Sequence, residues 1–182
     1  MFALLFGSIR AQSTDSLRSD FIQWRISEFL KTDCHNSSSI QIEDSFEPWS
    51  SEKKFVDNYL IEKDQNQLEA MWSKDEKSYE ILDSLRSILN KKDYSEIAAQ
   101  LSQTTNQNNS DLGIYYNCDG NGQPVTFKLT KPIVIQKQNL IIVTEKVYYQ
   151  NNKCTARQIT SYKKIDSKWV EFLNFFRSNV CL

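Results

Sequence analysis

The spacing of apolar residues changes near residue 112, and this change limits what the chain can fold into. Before about residue 103 apolar side chains recur every three or four positions, whereas from Leu112 onward they alternate with polar ones. A spacing near 3.6 is typical of helices and alternation is typical of strands. We therefore predict one α+β domain over residues 12–182, with a helical half at 12–103 and a strand half at 112–182.

The helical half is predicted to contain four helices, at about 15–31, 51–62, 65–89 and 93–101. Residues 13–15 supply polar side chains that can cap the first helix. Asp93 followed by Glu96 predicts a capping box at the start of the last helix. The apolar stripes on these helices indicate a packed core rather than an exposed groove.

The strand half consists of apolar runs at 112–118, 125–135, 140–149, 154–165 and 168–176. The polar gaps between them are short, which favours hairpins between neighbours and predicts a five-stranded antiparallel meander covered by the helices on one face. Pro132 lacks an amide hydrogen, so we expect a break within the second run. The last run also fits a helix, but the turn before it and its aromatic residues favour a strand.

Residues 1–11 resemble the end of a secretory signal. Phe2–Ile9 is apolar or small, and Ala11 is a small residue at the place where a signal peptidase would cut. The stretch is far shorter than the roughly 20 residues of a membrane span, so no transmembrane segment is predicted. A basic segment before it is missing, and the alternative is an N-terminal strand or frayed end. We predict removal of this segment and export to the periplasm or the medium.

The expected state of the cysteines depends on whether the protein is exported. The chain has four of them: Cys34, Cys118, Cys154 and Cys181. In an oxidising compartment they favour two disulfides, whereas in a cytosol they would be small core residues. A hairpin turning at 166–167 places Cys154 opposite about residue 179, close to Cys181. Cys118 would lie roughly 14 Å from Cys154, at about 4.8 Å per strand, which leaves it for Cys34. We predict Cys154–Cys181 and Cys34–Cys118.

Several short motifs lie within residues 93–172: DYSEIAAQL, then KPIVI, a strand ending in two tyrosines, and a closing KWVEF. This set resembles small exported proteins of Bacteroidota, which combine a D-x-x-x-I-x-x-Q-L helix with strands of this kind. The resemblance implies export and no known activity. The chain departs from those proteins after its two tyrosines, where it has QNNKC instead of Cys-Gly pairs.

One predicted strand carries a carboxylate on its apolar face. Glu145 alternates with Ile141, Val143, Val147 and Tyr149. A hairpin near residues 151–152 sets Glu145 beside Gln158, and Tyr162 shares the face of Gln158. We predict a binding site of Glu145, Gln158 and Tyr162 in a curled sheet like the ketosteroid-isomerase cone. The alternatives are a sheet edge where Glu145 reaches water, or a surface Glu–Lys pair.

The composition narrows the classes of function. With 22 basic and 23 acidic residues, nothing indicates attraction to nucleic acid. The single histidine, His35, adjoins Cys34, and adjacent side chains rarely meet, so this pair is not a predicted nucleophile and base. CxxC spacing and known phosphate-loop or hydrolase motifs are missing, so no metal or cofactor is predicted.

We therefore expect an exported non-catalytic module with a binding, envelope or host-interaction role, whose partner is a protein or a small molecule. The alternative is a small-molecule enzyme or carrier in which Glu145 acts as a base. A cavity of about 300 Å³ or more around Glu145 would favour that alternative.

Overall fold

The computed structural model describes residues 13–43, 46, 49, 87–103, 113–150 and 154–181. These ranges contain two helices, α1 (Thr14–Asp33) and α2 (Lys91–Gln103). They also contain seven strands: β1 (Ser39–Glu43), β2 (Gly113–Asn117), β3 (Val125–Leu129), β4 (Ile133–Ile135), β5 (Leu140–Tyr149), β6 (Cys154–Ile165) and β7 (Lys168–Cys181). The α+β class is confirmed. The helices predicted at 51–62 and over most of 65–89 lie outside the described residues.

Both helices begin at polar caps. The Ser13 hydroxyl accepts a hydrogen bond from the backbone N–H of Ser16 at the start of α1, as its cap position predicts. At α2 the predicted capping box of Asp93 and Glu96 is wrong, because the observed box lies about one turn earlier, at Asn90 and Asp93. The Asp93 carboxylate accepts from the Asn90 N–H at 2.9 Å, and the Asn90 side chain accepts from the Asp93 N–H at 3.2 Å. Asn90 caps the helix because its side-chain oxygen Oδ1 accepts hydrogen bonds from the first N–H groups of the helix, which have no partner within it.

The strands form one sheet in the order β2-β1-β3-β5-β6-β7, with β4 also paired to β5. The predicted hairpins β5–β6 and β6–β7 are confirmed, and the last run is a strand that extends to Cys181. Asp166 and Ser167 turn the second hairpin with φ of 47° and 66°. Positive φ at both central residues is the property of the turn that best matches strand twist.

The predicted meander is wrong at its first step. β1 lies between β2 and β3, antiparallel to β2 and parallel to β3, so the sheet is mixed. Ile40 and Ile42 on β1 are buried, although the sequence indicated only a brief extended stretch within a loop. β2 therefore cannot pair with β3, because another strand occupies the position between them.

The connection from β2 to β3 crosses the end of β1 instead of forming a hairpin. The Ser38 N–H donates to the Gly122 carbonyl at 3.1 Å, and the Cys118 N–H donates to the Ser38 carbonyl at 3.1 Å. A Cβ on Gly122 would collide with the carbonyl oxygen of Asn36. Glycine is required here because the two backbones lie in direct contact.

The predicted break at Pro132 is confirmed. β3 ends at Leu129 and β4 begins at Ile133, and both strands pair with β5. Between them the Thr130 hydroxyl accepts from the Thr144 N–H at 2.9 Å, while the Thr130 N–H donates to the Thr144 carbonyl at 3.0 Å. A side chain thus supplies one of the contacts that a regular strand would make with its backbone.

The helices cover both faces of the sheet, so the prediction of helices on one face is wrong. α1 packs its Leu17 and Phe21 with Ile141 and Val143 of β5. α2 packs on the opposite face, with a core that includes Ile97, Leu101, Leu140 and Ile142. Neighbouring residues of a strand point to opposite faces, which explains why the run Leu140–Val143 is buried throughout. The sheet is open, and the ketosteroid-isomerase-like cone is not confirmed.

The predicted disulfide between Cys34 and Cys118 is present and joins the end of α1 to the end of β2, with a Cα–Cα distance of 5.1 Å. Cys154 lies opposite Cys181 in the strand register, because two bulges in β7 move the pairing two residues beyond the expected position 179. The Cys181 side chain lies outside the described part of the chain, so this disulfide stays a prediction. No helix in the described ranges is long and apolar enough to cross a membrane.

Candidate functional site

Glu145 is a charged residue within the core between α1 and the sheet. Strand alternation places it on the face of Ile141 and Val143, and it is 2% exposed. It therefore does not reach water, so the sheet-edge and surface-pair alternatives are wrong. A carboxylate in such surroundings is destabilised by several kcal/mol unless nearby groups compensate its charge.

Arg25 of α1 supplies that compensation. Its Nε donates to Oε1 of Glu145 at 2.6 Å and its Nη2 donates to Oε2 at 2.7 Å, which is a two-pronged ion pair. Arg25 lies midway between Phe21 and Phe29, at four-residue spacing, so it projects from the buried side of α1. Its side chain is 15% exposed, so this ion pair is shielded from solvent.

Tyr162 and Gln158 of β6 complete the coordination of Glu145. The Tyr162 hydroxyl donates to Oε1 and the Gln158 amide donates to Oε2, each at 2.7 Å. The hairpin sets Gln158 directly opposite Glu145, as predicted. Each carboxylate oxygen now accepts two hydrogen bonds, which matches the roughly four lone-pair positions of a carboxylate. The three predicted residues do lie together; that they bind a ligand stays a prediction.

The buried charges shift the pKa values of the partners of Glu145. Burial acts against the charge on Arg25, but the hydrogen bonds and attraction to Glu145 outweigh it and raise the pKa of the guanidinium. Burial, followed by the nearby charge of Glu145, raises the pKa of the Tyr162 phenol well above its ordinary value. At neutral pH Arg25 is therefore a cation and Tyr162 is a neutral hydrogen-bond donor.

Aromatic rings surround the ion pair. The guanidinium carbon of Arg25 lies 5.5 Å from the ring centre of Phe127, which stacks on Phe29 at 4.0 Å. These rings exclude water from the ion pair on the side of α1 that faces the sheet. They also restrict the Arg25 side chain to the position in which it meets Glu145.

A second polar contact holds α1 to the sheet at Asp20. Its carboxylate accepts from Nζ of Lys164 at 2.7 Å and from the Trp169 indole N–H at 2.9 Å. The Lys164 hydrogen bond is the main reason that the pKa of the Asp20 carboxyl is lowered, against the opposing effect of burial. The Asp20 and Arg25 contacts together fix both the position and the rotation of α1.

A cavity of about 160 Å³ lies beside the ion pair, between the second half of α1 and strands β5, β6 and β7. Arg25, Phe29 and Asp33 line its helix side, and its strand side includes Val147, Tyr149, Ala156 and Gln158. Arg177 also lines it, as does Arg157, although strand alternation directs the Arg157 side chain to the opposite face of the sheet. The volume is about half of the roughly 300 Å³ that would favour an enzyme or carrier pocket.

Sequence reasoning missed two arginines of this site, Arg25 and Arg177. The sequence did contain a signal for Arg25, because it lies four residues from both Phe21 and Phe29 on the apolar side of the first helix. A charged side chain in such a position is expected to have a buried partner of opposite charge. Arg177 lies opposite Gln158 only because two bulges each add a residue to β7. Counting back from the turn would have placed residue 175 there instead.

Comparisons with protein-family models, curated proteins and solved structures find no match for this chain. Within the described ranges, no group of three or more His, Cys, Asp or Glu side chains is arranged so that it could hold a metal ion. The function is therefore inferred from the geometry of the ion pair and of its cavity.

Proposed function

We propose that this chain is an exported, non-catalytic binding module in which Glu145 fixes α1 to the sheet instead of acting as a base. The observation that carries the proposal is that each carboxylate oxygen of Glu145 already accepts two hydrogen bonds. The donors are Arg25, Tyr162 and Gln158. A general base needs a lone pair within reach of the substrate proton. Glu145 has its lone pairs committed to the protein itself.

The enzyme alternative is less well supported. Its base would have to break a hydrogen bond to Arg25, Tyr162 or Gln158 before it could take a proton. The cavity of about 160 Å³ is nevertheless next to this network and supports binding of a small molecule without turnover. The cavity therefore favours a module that binds a small molecule over an enzyme that converts one.

The Cys34–Cys118 disulfide supports the proposal of export. Structural disulfides persist in the periplasm and outside cells, whereas cytosolic thiols are kept reduced. The signal-like residues 1–11 and the resemblance to exported proteins agree with that location.

Cell fractionation tests the export proposal. We expect the native protein in the periplasm or the medium, with residues 1 to about 11 removed and Cys34 linked to Cys118. Mass spectrometry of the intact protein and non-reducing peptide mapping measure both properties. An unprocessed N-terminus together with free thiols in a cytoplasmic fraction would contradict export.

Incubation with a metabolite mixture tests the absence of catalysis. Wild-type protein and the Glu145→Gln variant are incubated in parallel, and mass spectrometry follows every compound over time. We expect no compound to be consumed by either protein. Consumption by the wild type that is lost in Glu145→Gln, with folding verified by circular dichroism, would show that Glu145 is a base and overturn the proposal.

A further inference from the structure

The cavity beside the ion pair contains two charges that the ion pair does not use, one of each sign. Arg25 and Arg177 line it as cations, and Asp33 and Glu145 line it as carboxylates. Alternation along β6 directs the Arg157 side chain to the other face of the sheet, so it adds no charge here. Arg25 and Glu145 compensate each other. The charges left to meet a ligand are therefore the anion of Asp33 and the cation of Arg177.

The anion lies at the end of α1. Asp33 follows Phe29 by four residues and Arg25 by eight, which places it on the side of the helix that faces the sheet. Its Oδ2 accepts a hydrogen bond from the Thr32 hydroxyl at 2.8 Å, and this neutral donor leaves the charge of the carboxylate in place. The C-terminal end of the helix dipole adds negative potential at the same point. A positively charged group on a ligand would be stabilised by both.

The cation lies on β7. Arg177 is opposite Gln158, whose amide donates to Glu145, so Arg177 shares the face of the ion pair. Within the described ranges Arg177 and Asp33 form no ion pair with each other, although both line the cavity. Arg177 is exposed and Asp33 is half-buried, so a ligand can reach both from solvent. A carboxylate is the group that a guanidinium binds with two parallel hydrogen bonds.

The size and the walls of the cavity limit the rest of the ligand. Phe29, Val147, Tyr149 and Ala156 contribute apolar or aromatic surface. A volume of about 160 Å³ equals that of about five liquid waters, at about 30 Å³ each. Because the space is so small, one compact molecule can contact both its helix side and its strand side. Such a molecule would carry an ammonium group, a carboxylate and a short apolar side chain.

We propose that this cavity binds a free α-amino acid with a compact apolar side chain, which places its ammonium on Asp33 and its carboxylate on Arg177. The side chain lies against Val147 and Tyr149. The assignment rests on the proposed function of a binding module and adds the class of its ligand. A zwitterion compensates both charges of the cavity at once, whereas an acid or an amine compensates only one of them.

An NMR titration of the full ¹⁵N-labelled chain tests the proposal with alanine, valine and leucine as probes. We expect valine to shift the Ala156 amide signal and the side-chain Nε–H signal of Arg177 in a saturable manner. Both groups line the cavity, so their signals report on binding there. The absence of a saturable shift with all three amino acids would overturn the proposal.

Two analogues of valine each lack one of its charges. 3-Methylbutanoate has no ammonium group, valinamide has no carboxylate, and both are close to valine in size. Each should bind at least tenfold more weakly than valine, because one charge of the cavity would stay without a partner. Equal affinity for valine and for either analogue would overturn the proposed zwitterion.

Two variants assign the charges of the ligand to their residues. Arg177→Gln should weaken valine binding at least tenfold and should no longer prefer valine over valinamide. Asp33→Asn should likewise lose the preference for valine over 3-methylbutanoate. A change of structure alone would weaken all three compounds together, and that result would overturn the assignment. Each variant tests its own half of the assignment independently of the other.

Lys168→Gln and Glu28→Gln are the matched controls. Lys168 is an exposed cation at the other end of β7, and Glu28 is a carboxylate of α1 that does not line the cavity. Both variants should leave the affinity for valine unchanged. Thermal unfolding verifies that all four variants fold. A control that weakens binding as much as the site variants would show general attraction and overturn the proposal.

Alanyl-valine tests whether the ligand is a free amino acid or a peptide. A dipeptide also carries an ammonium and a carboxylate, but they are separated by an additional residue. It is longer than valine and should bind more weakly in a cavity of about 160 Å³. Tighter binding than that of valine would overturn the assignment to a free amino acid.

The outcomes also separate this inference from the proposed function. A processed, disulfide-bonded and non-catalytic protein that binds none of the three amino acids overturns the ligand class alone. A cytoplasmic protein with free thiols that binds valine through Asp33 and Arg177 overturns export and leaves the ligand class in place.

Discussion

At the scale of single residues, Arg25 and Glu145 depend on each other because neither charge is tolerated alone in the core. A buried ion pair often adds little net stability, because desolvation offsets the attraction between its charges. Its geometry nevertheless has a strict requirement: four hydrogen bonds to Glu145 form only when α1 has the observed rotation and height. The pair therefore selects one packing of α1 among others that would bury a similar apolar area.

The first prediction concerns the stability of this ion pair. Replacing one partner should lower the free energy of unfolding strongly, whereas replacing both partners should lower it much less. Arg25→Met leaves the buried Glu145 charge without its partner and should lower the free energy of unfolding by about 3–5 kcal/mol. The double variant Arg25→Met/Glu145→Leu should recover a large part of that loss, because no charge stays buried. Urea denaturation of the single and double variants measures the coupling.

Lys31→Met is the control on the same helix. Lys31 pairs with Glu28 on an exposed surface, so its loss should change stability by about 0–1 kcal/mol. A loss in Arg25→Met as small as that in Lys31→Met would contradict a shielded ion pair.

The second prediction concerns alkaline pH. The pKa of Tyr162 is raised in the folded protein above its unfolded value near 10, so its contribution to stability is complete below pH 10. As the pH rises further, the unfolded chain ionises Tyr162 while the folded protein does not, and this contribution is lost. The loss of stability between pH 9 and 11 should therefore be smaller in Tyr162→Phe.

Ultraviolet titration of tyrosinate gives an independent measurement for the second prediction. The folded wild type and Tyr162→Phe should show the same number of ionised tyrosines, because Tyr162 keeps its proton until the protein unfolds. One additional tyrosinate in the folded wild type would contradict the raised pKa.

Part of this site was predictable from sequence. The pairing of Glu145 with Gln158 follows from counting residues around a short hairpin, and Tyr162 follows from alternation along β6. Arg25 was not predictable in the same way, because sequence spacing shows which side of α1 it occupies but not which strand that side meets. The distance between helix and sheet residues depends on tertiary packing, which has no short-range signal.

At the scale of elements, the strands that were predicted correctly are those with a strong local signal. β5, β6 and β7 are 10, 12 and 14 residues long and are joined by tight turns, so alternation and turn chemistry define them together. β1 has 5 residues, and only two of them are buried. So short a run cannot be distinguished from a loop by its period, and its parallel pairing with β3 involves no local connection.

The third prediction concerns the loop that crosses β1. Gly122→Ala should destabilise the protein strongly, because the added methyl group would collide with the backbone of Asn36 and separate two hydrogen-bonded segments. Asn121→Ala, at the exposed neighbouring residue, should be close to neutral. Thermal unfolding compares the two variants, and similar melting temperatures would contradict the close backbone contact.

The fourth prediction concerns the Cys34–Cys118 disulfide. The two cysteines are 84 residues apart, so breaking the bond releases a long loop in the unfolded chain. Cys34→Ser/Cys118→Ser should lower the free energy of unfolding by about 2–5 kcal/mol. Urea denaturation under non-reducing conditions measures the difference, and unchanged stability would show that this crosslink does not constrain the unfolded state.

At the scale of the whole molecule, the sequence contains a signal for a sheet that is covered on both faces. The prediction of helices on one face did not take this signal into account. Leu140–Val143 is four apolar residues in succession, whereas a strand with one solvated face should alternate. Ile133–Ile135 of β4 is apolar throughout as well, whereas β3 alternates as a strand with one covered face would. The prediction followed the alternating pattern and placed all the helices on one side.

The fifth prediction follows from this layering. β5 lies inside the sheet and has helices on both faces, so the amides of Leu140–Val143 should exchange hydrogen only when the whole protein unfolds. The β2 amides at Ile114 and Tyr115, whose side chains are exposed, should exchange much faster. Hydrogen-exchange NMR measures both sets. Equal protection of β2 and β5 would contradict the observed order of the strands.

The bond between Cys34 and Cys118 also turns residues 34–118 into a covalent ring. Cleavage of a single peptide bond within this ring opens it but releases no fragment, since both new ends are still attached through the sulfur atoms. α1 and β3 would stay parts of one molecule after such a nick. The proposed export would bring the protein into contact with proteases, and the ring would then lose part of its chain only after a second cut or after reduction.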